Sequence, residues 1–106
     1  MVGRIQIHAD GTIEAKLPIQ VMREGSRIVF YTPALDICGY GDSTEHAKRD
    51  FDNALKIFFD ETLEHHTLDR ALEETGWKKV VSNTQEYWEP QTELITSSIE
   101  SITIPK

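Results

Sequence analysis

Residues 28–43 read IVFYTPALDICGYGDS, and this stretch decides the fold of the chain. The apolar run IVFYT predicts a strand that ends at Pro33, because proline cannot donate a hydrogen bond to a neighbouring strand. A second short strand is predicted at residues 35–41, where Gly39 and Gly41 indicate a bulge or a close approach of another backbone. The serine that closes the stretch predicts the start of a helix. Two strands and a helix therefore follow one another with almost no linker.

The helical part is predicted from Ser43 onward, because neither glycine nor proline occurs again until Gly76. Ser43 is a favourable N-cap, and the acids beside it suit the positive end of the helix dipole. A loop is predicted at residues 65–66. Thr67 is expected to cap a short second helix, which Gly76 ends and onto which Trp77 folds back. The long helix is amphipathic at 3.6-residue spacing, and its apolar stripe consists of Ala47, Phe51, Ala54, Leu55, Phe58, Phe59 and Leu63.

Two hairpins are predicted before the helix. In the first, a three-residue loop ends at Gly11, where a residue with left-handed backbone conformation is needed. This loop gives the apolar cross-strand pairs Ile7–Ile13 and Ile5–Ala15. Pro18 must then lie at an edge or a bulge, or divide two strands.

The second hairpin is expected to join residues 17–23 to residues 26–32 through a two-residue loop, Glu24-Gly25. Its predicted pairs lie on one apolar face, and they are Val21–Ile28 and Ile19–Phe30.

The remaining chain carries weaker patterns. Residues 78–98 are expected to be partly ordered as a packed hook that uses Tyr87 and Trp88, since a structureless loop of this length is unusual in a compact domain. Residues 100–104 alternate apolar and polar side chains and predict a final strand. The predicted fold class is therefore α+β, with an antiparallel β-meander, one long helix packed on one face, a short second helix and a C-terminal strand.

Composition restricts the class of protein. The 106 residues fit one domain, 1–106, with an ordinary content of 39% hydrophobic and 27% charged residues. The sequence contains no apolar run of the roughly 18 residues that a membrane helix needs. Its single cysteine excludes an internal disulfide, and no secretory signal is recognised, so a cytoplasmic location is expected. The net charge of −7 disfavours non-specific binding to nucleic acid and favours a basic protein partner.

Three sets of residues are candidates for catalysis or metal binding. Cys38 with His46 as its base is less expected than a buried cysteine that acts as a small hydrophobe. The histidine pair at residues 65–66 lacks the i, i+4 spacing of a helical zinc site. A nuclease-like carboxylate cluster would need Asp50 and Asp60 aligned, but ten residues are not close to a whole number of helical turns. The sequence therefore predicts no enzyme, no cofactor and no metal.

Several ordered motifs resemble those of the HicB-like antitoxins. They are FYTPALD at residues 30–36, GDSTEHA at 41–47, FFDET at 58–62, the Thr67-Leu68 pair and the Gly76-Trp77 pair. The resemblance covers residues 17–79 and the expected tail strand at 99–104, within a single domain. It implies a fold similar to a reduced ribonuclease-H core, and the strand at residues 17–23 lacks the carboxylate that a nuclease of that fold needs.

The resemblance implies an antitoxin of a type II toxin–antitoxin system that binds and masks a small, basic, HicA-like toxin that cleaves mRNA. A homodimer or a higher homo-oligomer is also expected. The candidate partner-binding residues are acids on the exposed helix face and in the loops near it, namely Asp36, Asp42, Glu45, Asp52 and Asp60.

The chain also departs from the family pattern. His46 replaces the glutamate that usually completes a capping box at the helix start. No ribbon-helix-helix or helix-turn-helix segment is recognised after the domain, so direct DNA binding is not expected.

Two alternatives remain open. The first is a solitary HicB-like domain that serves as a dimeric regulatory or structural module. The second is a small RNA- or ligand-binding protein that uses Tyr31, Tyr40 and Trp88.

Overall fold

The computed structural model describes residues 3–91 and 95–105. Within these residues the fold is α+β, as predicted, with seven strands in two antiparallel sheets, one long helix and one short helix. The elements in chain order are β1 (Arg4–Ile7), β2 (Ile13–Lys16), β3 (Gln20–Glu24), β4 (Arg27–Thr32), β5 (Ile37–Gly41), α1 (Thr44–Glu64), α2 (Leu68–Glu74), β6 (Trp77–Val81) and β7 (Glu86–Pro90).

The strands form two sheets where the sequence predicted one meander. The first sheet has the order β2-β1-β7-β6, and the second has the order β3-β4-β5. The chain enters the second sheet through residues 17–19, so Pro18 divides two strands, which was one of its predicted roles. The chain returns to the first sheet after α2, where β7 pairs with β1 through Ile5 and Trp88.

The first hairpin has the predicted register. Ile5 pairs with Ala15, and Ile7 pairs with Ile13. Gly11 closes the loop with a φ of 89°, which a residue with a side chain adopts at a cost.

The predicted register of the second hairpin is wrong by two residues. Val21 pairs with Phe30, and the two-residue loop is Gly25-Ser26 where the sequence suggested Glu24-Gly25. A type II′ turn places glycine in the first loop position with positive φ, and Gly25 has a φ of 62° there. The suggested loop would have needed a positive φ at Glu24 as well, which a residue with a side chain adopts at a cost. Because the shift is two residues, each side chain stays on its predicted face of the sheet.

Helix α1 packs closely against β5. Ser43 is the N-cap, as predicted, and its hydroxyl accepts a hydrogen bond from the His46 N–H at 3.1 Å. A Cβ atom added at Gly39 would overlap the Phe51 backbone, and one added at Gly41 would overlap the backbone of His46 and Ala47. Both glycines therefore allow the backbones of β5 and α1 to approach closely. A second hydrophobic cluster lies at this contact and contains Ile28, Phe30, Ala47 and Phe51.

Helix α2 and the residues after it close the first hydrophobic cluster. Gly76 takes a φ of 91° after the helix, and Trp77 is buried as expected. The Trp77 indole N–H donates to the Ala34 carbonyl oxygen at 2.8 Å. Thr67 occupies the N-cap position but makes no side-chain capping bond, contrary to the prediction. The buried members of the first cluster are Ile5, Ala34, Leu35, Phe59, Leu68, Leu72, Trp77 and Trp88.

Two predictions for the C-terminal part are wrong. Residues 78–90 form most of the regular β6–β7 hairpin in place of a hook, although Trp88 is buried within it. The expected tail strand at residues 99–104 is not formed, and residues 95–105 are irregular and exposed. A strand needs a hydrogen-bonded neighbour, and none lies beside this segment within the part of the chain that is described. Part of the predicted hook, residues 92–94, lies outside the described residues.

Candidate functional site

Helix α1 carries charged side chains along its exposed surface. Successive residues of a helix are rotated by about 100°, so the face packed on β5 leaves two flanks exposed on either side. Ala47 and Phe51 define the packed face because both are buried. The two flanks carry different charge patterns.

One flank, called here the paired face, holds acids and bases in equal number. Its residues are joined by three ion pairs at i, i+4 spacing: Glu45–Arg49 at 3.6 Å, Lys48–Asp52 at 2.7 Å and Lys56–Asp60 at 2.5 Å. Exposed pairs of this kind are weak, but each one neutralises its acid locally. Three of the five predicted contact residues, Glu45, Asp52 and Asp60, therefore lie on a face without net charge.

The other two predicted contact residues lie in loops at opposite ends of β5. Asp36 precedes the strand and Asp42 follows it, so about 20 Å of extended chain separates them. Asp36 has a left-handed backbone with a φ of 54°, and it accepts a hydrogen bond from the Tyr31 hydroxyl at 2.9 Å. This bond stabilises the neutral phenol and raises the pKa of Tyr31. Asp42 is exposed just before the N-cap of α1.

The second flank of α1 is called here the acidic stripe. Its residues are spaced by three or four positions and therefore share one line along the helix. Within the described chain, none of its three carboxylates forms an ion pair. An isoleucine with half of its side chain exposed lies at the centre. The members of the stripe are Asp50, Asn53, Ile57, Glu61 and Glu64.

The N-terminal end of the acidic stripe, at Asp50, borders the open edge of β5. The Tyr40 backbone N–H donates to the Asp50 carboxylate at 2.8 Å. Peptide groups of alternate residues point the same way in a strand, so those of Cys38 also point toward this edge. At this end the stripe adjoins unpaired backbone groups of an edge strand, and further along α1 it presents Ile57 and the carboxylates of Glu61 and Glu64.

The sequence did contain a signal for the stripe that the prediction missed. Each acid of the paired face has a lysine or an arginine four residues away. Asp50, Glu61 and Glu64 have neither base at three or four residues in either direction. The absence of a nearby base therefore distinguishes these three acids from those of the paired face.

The outer face of the second sheet carries Tyr31 and Tyr40, two of the three aromatic residues of the RNA-binding alternative. The Arg27 guanidinium lies over the Tyr40 ring at 4.7 Å, and the Cys38 Sγ is hydrogen-bonded to the Tyr40 phenol oxygen at 3.2 Å. That hydrogen bond raises the pKa of Tyr40. Trp88, the third residue of the RNA-binding alternative, is buried in the first hydrophobic cluster.

The concave features are shallow. A cleft of about 450 Å³ lies between α1 and the β1–β2 hairpin, with Ile13, Leu55 and Leu63 among its apolar lining residues. A smaller one of about 280 Å³ lies between Ile7 and the start of α2. Within the described ranges, no group of three or more His, Cys, Asp or Glu side chains could hold a metal ion. No helix in the part of the chain that the structure describes is long and apolar enough to cross a membrane.

The arrangement of α1 and β5 is suited to contact with a basic protein surface. It offers carboxylates that form no ion pair within the described residues, and an exposed apolar side chain between them. No protein-family model matches the chain, and no curated protein or solved structure matches it at the significance threshold used.

Proposed function

We propose that this chain is a non-catalytic binding protein, a HicB-like antitoxin that binds and masks a small basic toxin that cleaves mRNA. The observation that carries the proposal is the acidic stripe of α1, whose carboxylates form no ion pair within the described residues, whose Ile57 is exposed and whose Asp50 lies beside the open edge of β5. The ordered motifs from residue 30 to Trp77 support the same assignment. The cytoplasm is the proposed location.

Charge supports the choice of a basic partner. The net charge of −7 accelerates the encounter with a positively charged protein. In the complex, Glu61 and Glu64 would pair with lysine or arginine side chains of the toxin. Ile57 would supply the apolar centre that protein interfaces generally need. Binding in this way would cover the basic surface with which the toxin holds RNA, and the toxin would be blocked sterically.

The five acids predicted from the sequence have unequal roles in this proposal. Glu45, Asp52 and Asp60 must give up their local partners before they can pair with a toxin, so each one is expected to contribute little. Asp42 has no such partner among the described residues and lies at the start of α1. Asp36 is engaged with Tyr31, and it is the weakest candidate.

The first experiment identifies the partner. The tagged chain is purified from the cells that make it, and proteins recovered in stoichiometric amount are identified by mass spectrometry. The antitoxin proposal requires a small basic protein that cleaves mRNA and that loses this activity when the chain is added. Recovery of a partner without this activity, or of no partner at all, contradicts the proposal.

The second experiment tests the surface. The double variant Glu61→Lys/Glu64→Lys is expected to weaken toxin binding by about tenfold or more, equivalent to about 1.4 kcal/mol, in calorimetric titration. The matched control is Glu73→Lys/Glu89→Lys, which makes the same change in net charge at exposed acids of α2 and β7. If both variants weaken binding equally, net charge alone is responsible and the acidic stripe is not the site.

One observation favours the alternative of a dimeric regulatory or structural module. All five residues of β3 are exposed at the edge of the second sheet, and such edges tend to pair with another strand. Recovery of only the chain itself in the first experiment would favour this alternative over the antitoxin.

A further inference from the structure

Residues 95–105, called here the tail segment, are rich in isoleucine and yet fully exposed. Its four isoleucine side chains have exposures of 79–103%, and no residue of the segment is buried. β-branched side chains favour extended structure beside another strand. The segment therefore has the composition of a strand but lacks a neighbour. Its isoleucines are Ile95, Ile99, Ile102 and Ile104.

A vacant position for a strand exists beside β3. This strand forms one edge of the second sheet, and edge strands present unpaired N–H and C=O groups. Ile19 and Val21 share the sheet face that bears Phe30, but they remain 42% and 54% exposed. Helix α1 packs over β5 and β4 and leaves these two side chains uncovered.

The tail segment and β3 match in length and pattern. Residues 100–104 number five, as does β3. Ile102 and Ile104 alternate with Ser101 and Thr103, so an added strand would place both isoleucines on the face of Val21. Ser101 and Thr103 would then lie on the opposite face of the sheet, where β3 carries Gln20, Met22 and Glu24. Prolines bound both segments, Pro18 before β3 and Pro105 after the tail segment, and each limits how far pairing extends.

We propose that residues 100–104 of one copy pair with β3 of a second copy as the fourth strand of its second sheet. The reciprocal contact, from the second copy to the first, closes a symmetric dimer and pairs the β3 edge of each copy. This interface is separate from the acidic stripe and does not depend on the antitoxin proposal.

The shape of the single chain supports a second copy as the source of the strand. The radius of gyration is 16.5 Å, whereas a compact chain of this length is expected to have about 13 Å. No residue of the tail segment is buried against the rest of the described chain. A second copy can supply the apolar surface that its isoleucines lack, since exchange of an identical element between copies is a low-cost route to a dimer.

The test measures molar mass by light scattering after size-exclusion chromatography. The full chain is expected to have about twice the 12.1-kDa mass of one copy. The double variant Ile102→Asp/Ile104→Asp is expected to halve this mass while its circular dichroism stays that of the parent, because both side chains are exposed. The control is Val81→Asp, an exposed apolar residue of β6, which should remain dimeric.

A cross-linking experiment identifies the two strands. Cys38 is the single cysteine, so Cys38→Ser gives a background without thiols. One chain then carries Val21→Cys and a second chain of different length carries Ile102→Cys. Mild oxidation of the mixture is expected to give mainly the disulfide-linked heterodimer.

Three results would overturn the proposal. The first is a monomeric parent protein at micromolar concentration. The second is a dimer whose mass is unchanged by Ile102→Asp/Ile104→Asp. The third is a chain that carries both Val21→Cys and Ile102→Cys and links within itself, which would place the tail segment on its own β3.

Discussion

The most unusual single residue is Thr32, whose hydroxyl is buried without a hydrogen-bond partner. Thr32 is fully buried at the end of β4, and its Oγ1 has no partner among the described residues. A buried hydroxyl in this state costs about 1–3 kcal/mol relative to water. Thr32 lies on the same face of β4 as Ile28 and Phe30, and this face packs against α1, which explains its burial.

Replacement of Thr32 by valine is expected to stabilise the protein. The variant Thr32→Val keeps the branched shape, suits a strand and removes the unpaired hydroxyl, so the free energy of unfolding should rise by about 1 kcal/mol. Urea unfolding measures the change. The control is Thr62→Val, in which the lost hydroxyl donates to the Phe58 carbonyl oxygen at 2.8 Å, and which should not stabilise. A lower midpoint for Thr32→Val would show that this hydroxyl has a partner.

At the scale of elements, the contact of α1 with β5 depends on glycine. A Cβ atom at Gly39 would overlap backbone atoms of Phe51, and neither backbone can move without breaking hydrogen bonds. The variant Gly39→Ala is therefore expected to lower the free energy of unfolding by about 3 kcal/mol or more, at the upper end of overpacking effects. Chemical denaturation followed by circular dichroism measures this loss.

A substitution at Gly25 distinguishes destabilisation by steric overlap from destabilisation by backbone strain. Gly25 has a positive φ but nothing within 4 Å of an added Cβ atom. The control Gly25→Ala should therefore cost about 1 kcal/mol, from backbone conformation alone. A Gly39→Ala protein as stable as Gly25→Ala would mean that α1 does not approach β5 as closely as described.

The elements that the sequence predicted correctly are those with local determinants. Ser43 and Gly76 bound the helical region, and Gly11 set the register of the first hairpin. The error in the second hairpin came from placing Gly25 in the second loop position. A type I′ loop of Glu24-Gly25 would also need a positive φ at Glu24, whereas a type II′ loop with Gly25 first needs it only at the glycine, and this gives the observed register.

The C-terminal errors have a different physical origin. Alternation in residues 100–104 predicts a strand, but a strand forms only where another strand can pair with it. The β6–β7 hairpin was missed although Ser82 and Asn83 form a turn signal between two runs that contain apolar residues. Pro90 and the charged residues within these runs obscured their alternation.

The candidate site was predicted as a type of surface more than as a set of residues. The predicted acids of α1, Glu45, Asp52 and Asp60, lie on the paired face, and the predicted set did not include Asp50, Glu61 and Glu64. The ion pairs at i, i+4 spacing can be predicted from the sequence. The contact of Asp50 with the edge of β5 cannot, because it depends on the rotation of α1 about its axis, which tertiary packing fixes.

At the scale of the whole molecule, the division into two sheets follows from one distant pairing. β7 joins β1 through Ile5 and Trp88, which are separated by most of the chain. No local pattern specifies such a pair, so a single meander was the simplest expectation. The two sheets then build two hydrophobic clusters, and α1 contributes Phe59 to the first and Phe51 to the second.

The two clusters are expected to unfold together because two residues pack against both. Ile37 of β5 and Leu55 of α1 contact each cluster, and α1 is continuous between them. Both tryptophans lie in the first cluster, so their fluorescence reports on that cluster, while circular dichroism at 222 nm mainly reports on α1. The two signals should give the same urea midpoint, as a two-state domain requires.

Leu55→Ala tests this coupling. Loss of the side chain that packs on both clusters should lower the free energy of unfolding by about 2 kcal/mol, and both midpoints should fall by the same amount. The matched control is Leu63→Ala on the same helix, where the side chain is exposed and the loss should be less than about 1 kcal/mol. If the fluorescence midpoint separates from the circular dichroism midpoint in Leu55→Ala, the two hydrophobic clusters unfold independently in this variant and are coupled mainly through Leu55. If they separate in the parent protein, the molecule contains two folding units and α1 does not couple them.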